Sequence, residues 1–167
     1  MFYKSYGITT LPGYLFDTEI LKNNLETLAG CFASINSLTT IDDNLLHTKN
    51  NNNFKKLTNL SGLLASCSRL KHDFKKDFFI NTSEVTTIGS STVSTAGGST
   101  TLLRGIFSYC CGNWNNYILN GNSYSAKIFM PLTKLVDASE VFSLEGLASE
   151  WNYDNYLRFI YEYENND

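Results

Sequence analysis

The sequence predicts an α+β fold in a single domain, with amphipathic helices flanking a small antiparallel sheet. Three observations carry that expectation. Apolar residues recur at three- and four-residue spacing over 17–78, Ser, Thr and Gly dominate much of 82–131, and 138–163 returns to a helical pattern rich in aromatic residues and acids. A chain of 167 residues that is 43% hydrophobic is large enough for one self-supporting core.

The first helix opens at Asp17 or Thr18, either of which can cap it, and Leu21, Leu25, Leu28, Phe32 and Ile35 then share one face as far as Asn36. The polar stretch 39–53, ending in Asn50, Asn51, Asn52 and Asn53, reads as a surface connection. A second helix is expected from Phe54 to Phe78, with Leu60, Leu63, Leu64, Cys67, Leu70 and Phe74 on one side and Lys55, Arg69 and Lys76 on the other. Leu21, Leu25, Leu28, Phe32, Leu60, Leu64, Cys67 and Leu70 should then form one core between two helices, with Cys67 a packed thiol.

The Ser/Thr/Gly-rich segment 82–101 suits a strand or two with an exposed loop, because Thr and Val favour strands while Gly97-Gly98 interrupts any run. Further strands are expected at Leu102–Cys111, Tyr117–Leu119 and Tyr124–Met130, with Asn120-Gly121 as a hairpin turn. Two short helices, Ala138–Trp151 and Tyr153–Tyr163, complete the reading.

Motifs that carry chemistry are missing from the sequence. There is no glycine-rich phosphate cradle, no paired-histidine zinc motif, no nucleophile elbow and no calcium loop. Cys110 and Cys111, with His47 and His72 as bases, are the one conceivable thiol arrangement, and small buried hydrophobes explain the two cysteines better. Asp42 and Asp43 beside His47 supply fewer than three ligands at metal spacing, as a solvated loop would. No catalytic residue, metal or cofactor is therefore expected. With no Cys-x-x-Cys pair and no secretory layout at the start, the four cysteines are expected as free thiols in a reducing compartment.

The formal charge of −3 argues against general nucleic-acid binding, which depends on neutralising phosphates, and no apolar run is long enough to span a membrane. Charge is unevenly spread. Lys49, Lys55, Lys56, Arg69, Lys71, Lys75 and Lys76 form a basic block, and Asp137, Glu140, Glu145, Glu150, Asp154, Glu162, Glu164 and Asp167 an acidic one. Between them, 82–131 carries only Glu84, Arg104 and Lys127, little charge for a fully solvated surface.

Complementary blocks steer association, so Arg69, Lys75 and Lys76 are candidate partner contacts, as are Glu145, Glu150 and Trp151. Trp114 and Tyr117, among Asn113, Asn115, Asn116, Asn120 and Asn122, fit a protein contact or a sugar-binding loop. Asparagine runs, 10 Tyr, 11 Phe and only 2 Pro suit an AT-rich genome. The expected function is a non-enzymatic assembly subunit of a large particle, a phage virion at its neck or tail, whose partners are other subunits including its own copies. An accessory subunit inside an organelle and a carbohydrate-binding module are the alternatives.

Overall fold

The computed structural model describes residues 2, 4–70, 74, 75, 77–89, 91–94, 100–103, 105–107, 129 and 131–137, with 91–94 and 100–103 described as backbone. Within these residues the chain winds in successive coils, each laid on the one before. Thr27 bridges in parallel to Asn59, Asn59 to Thr87, and Thr87 to Asp137. The equivalent positions lie 32, 28 and 50 residues apart. The first two coils also pair through β1 (Thr10–Leu11) and β2 (Thr40–Ile41), parallel and in register Thr10 to Thr40 and Leu11 to Ile41. Taking each coil to begin at its bridging residue, the first comprises the described residues of 2–26, the second 27–58 and the third those of 59–86, and a fourth begins at Thr87.

Main-chain hydrogen bonds follow two rules. Inside a coil they close tight turns, as from Cys31 N to Leu28 O (3.0 Å), Leu38 N to Ile35 O (3.0 Å) and Leu45 N to Asp42 O (3.0 Å). Between coils they run sideways, from Leu28 N to Asn59 O (3.0 Å), Gly30 N to Ser61 O (2.8 Å), Phe32 N to Leu63 O (3.0 Å) and Ser34 N to Ala65 O (2.7 Å). Together these satisfy donors that a helix would satisfy within itself. Such an arrangement is a solenoid, in which each unit contacts its neighbours only.

The expected fold of amphipathic helices flanking an antiparallel sheet is therefore overturned. One helix is present among the described residues, α1 (Glu19–Asn24), of 6 residues. It starts where expected, with the Thr18 hydroxyl accepting from Leu21 N at 3.2 Å. It ends eleven residues before Ile35, as Asn23 and Asn24 turn their side-chain amides onto the carbonyls of Glu19 and Ile20. Beyond Leu25 the amides of Leu28, Gly30, Phe32 and Ser34 serve the next coil. No helix exists over 54–70: Lys55 N donates to Lys22 O, Thr58 N to Glu26 O and Leu60 N to Thr87 O, each in a neighbouring coil.

The cause of the misreading is the spacing itself. A turn that buries one side chain every three or four residues repeats like the face of a helix. The residues expected in the core are largely there. Leu28, Phe32, Leu60, Leu64, Cys67 and Leu70 are buried in one cluster, while Leu21 and Leu25 pack against it half-covered. The stretch 39–53 is not merely a connection, since Ile41, Leu45 and Leu46 are buried while Thr39, Thr40, Asp42, Lys49 and the asparagine run face out. That run is held by Asn81, whose side chain accepts from Thr48 N (2.9 Å) and donates to Asn51 (3.0 Å).

The signal that discloses the coils is a repeat. Leu-x-x-Leu-x-Gly-x-x-Ala-Ser-x-x-x-Leu occurs at 25–38 and again at 57–70. Its two conformational keys recur with it: Gly30 and Gly62 have φ of 62° and 61°, and Ser34 and Ser66 have 60° and 61°. Both lie in the left-handed region, where glycine alone escapes steric cost. The second repeat copy is followed by a modified coil. Ile88 O accepts from Ile106 N at 2.8 Å, and the residues between leave the coil as an antiparallel hairpin of β3 (Ser91–Ser94) and β4 (Thr100–Leu103). Strands expected within 82–101 are thus present as β3 and β4, while the loop expected around Gly97-Gly98 lies outside the described residues; β4 ends at Leu103, and 108–111 of the strand expected to reach Cys111 also lie outside them. Ile106 and Phe107 are buried in a turn. The strands expected at 117–119 and over most of 124–130, and the helices at 138–151 and 153–163, lie outside the described residues.

Aromatic rings tie the coils together. Phe74, Phe78, Phe79, Phe129 and Phe107 form a closed circuit of ring contacts with centroids 4.9–6.1 Å apart, each in the range of favourable offset or edge packing.

Candidate interaction surface

The groups that could do chemistry are occupied structurally. His47 places Nε2 2.7 Å from the carbonyl oxygen of Asp77. Asp42 Oδ1 accepts from both Asn44 N (2.8 Å) and Asn44 Nδ2 (2.9 Å), a local turn rather than a metal ligand poised for a third partner. Among the described residues no group of three His, Cys, Asp or Glu side chains could hold a metal ion. Cys31 and Cys67 are buried free thiols. Burial pushes the Cys31 thiol up, away from the nucleophilic thiolate, and the Cys67 thiol points at Phe32 O, 3.2 Å away. Cys110, Cys111 and His72 lie outside the described residues.

One compact charge cluster exists, in the first coil. The Lys22 ammonium is 2.6 Å from Glu19 and 3.3 Å from Asp17, on a residue only 6% exposed. Asp17 also accepts from Lys49 N at 3.2 Å, binding the first coil to the second. The hydrogen bond to Glu19 raises the Lys22 pKa, and the same bond holds the Glu19 carboxyl below its usual range. The cluster anchors the short helix, with one cation shared between two carboxylates.

The candidate partner residues do not share a helix face. Arg69 and Lys75 are exposed, but Arg69 stands one repeat after Ser37 and Lys75 one repeat after Asp43, whereas Lys55 and Lys56 follow Asn23 and Asn24. Of this block, the described Lys55, Lys56, Arg69 and Lys75 thus stand at different positions along the repeat. Lys56 reaches Asn24 at 3.5 Å and, farther along, Lys134 pairs with Glu84 at 2.6 Å, so this edge carries contacts between coils. Lys76, Trp114, Tyr117, Glu145, Glu150 and Trp151 lie outside the described residues.

A different surface emerges at the first coil. Following the repeat, Phe2 corresponds to Phe32 and Leu64, Ile8 to Leu38 and Leu70, and Leu15 to Leu45. Phe32, Leu38 and Leu45 are fully buried, whereas Phe2, Ile8 and Leu15 are half-buried. These first-coil positions are thus less covered than their equivalents in the second coil. Five large hydrophobic residues are exposed among those described, and three of them, Tyr6 (68%), Tyr14 (38%) and Ile20 (74%), belong to this coil. The apolar spacing of residues 2–24 does not announce this surface. Only the repeat does, by identifying which buried positions the first coil leaves half-covered.

No family model, curated protein or solved structure matches the chain. Among the described residues no helix is long and apolar enough to cross a membrane.

Proposed function

We propose that the protein is a non-enzymatic assembly subunit that works through protein–protein contacts. The observation that carries this reading is the apolar surface of the first coil, where Phe2, Ile8 and Leu15 are half-buried at positions whose equivalents in the next coil are closed, and Tyr6, Tyr14 and Ile20 are exposed. Exposed apolar surface of this kind favours association. The setting proposed is the one that the composition suits, a phage particle, with an organellar complex as the alternative.

Native mass spectrometry of the purified chain, with glycan binding measured alongside, tests the proposal. An assembled species without glycan affinity supports it. A strict monomer that binds a glycan overturns it in favour of a carbohydrate-binding module built on Trp114 and Tyr117.

A further inference from the structure

We draw no further inference here: the strongest candidate, the apolar surface patch of the first coil around Phe2, Ile8, Leu15 and Tyr14, belongs to the interaction surface already described, and nothing in the structure shows what covers it.

Discussion

Phe2 lies nearly flat on Phe32, one coil away, with ring centroids 5.5 Å apart and planes 14° from parallel. Phe16 packs on the same ring at 6.0 Å and 43°. Phe32 is thus the point at which the first coil is fastened to the rest. Replacing Phe32 with Ala should destabilise the fold by about 3–5 kcal/mol, the range for a buried phenylalanine. Phe2→Ala, at the half-covered position of the same column, should cost clearly less. Urea unfolding of both variants checks this, and equal losses would remove the distinction between covered and half-covered positions.

Burial was more legible in the sequence than backbone path. The spacing from Leu28 to Leu70 correctly places Leu28, Phe32, Leu60, Leu64, Cys67 and Leu70 inside, and Thr18 correctly caps a helix. Periodicity does not state where the amides go. Leu28 N and Leu60 N serve neighbouring coils, a long-range choice that local spacing does not encode. Gly30 and Gly62, read alone, look like tolerated helix glycines; their recurrence with Ser34 and Ser66 is what betrays two copies of one bend. The strands within 82–101 were legible because their Ser, Thr and Val composition is a local feature. The half-covered surface of the first coil was not, since it shows only relative to a repeat.

Ser61 is fully buried and its hydroxyl oxygen has no hydrogen-bond partner, while its main chain is satisfied through Gly30 N and Asn59 Oδ1. The equivalent position one coil earlier is Ala29. Ser61→Ala should therefore leave the fold unharmed or stabilise it by about 1 kcal/mol, because it removes an unpaired buried hydroxyl. A loss of stability in thermal unfolding would show that the hydroxyl has a partner after all.

The ion cluster of the first coil has a pH signature. Because the Glu19 carboxyl is held below its ordinary value by the Lys22 hydrogen bond, its contribution is present above the unfolded-state value and is lost as pH falls through the folded one. Stability should thus decline below about pH 4, and Glu19→Gln should flatten part of that decline while leaving the fold intact. Thermal midpoints across acid pH measure it. An identical acid profile in the variant would mean the bond contributes nothing in solution.

The coil geometry is tested most directly at Gly62. In the solenoid Gly62 has φ 61°, so Gly62→Ala places a Cβ in the left-handed region and should destabilise by about 1–2 kcal/mol. Ser66, at the same sign of φ, is already a strained residue there, so Ser66→Gly should change stability little. In a helix the signs reverse, with alanine stabilising by up to about 1 kcal/mol over glycine. Unfolding free energies of the two variants, measured by urea titration, therefore separate the alternatives: a clear loss for Gly62→Ala with little change for Ser66→Gly is what stacked coils require, and a gain for Gly62→Ala with a loss for Ser66→Gly would contradict them.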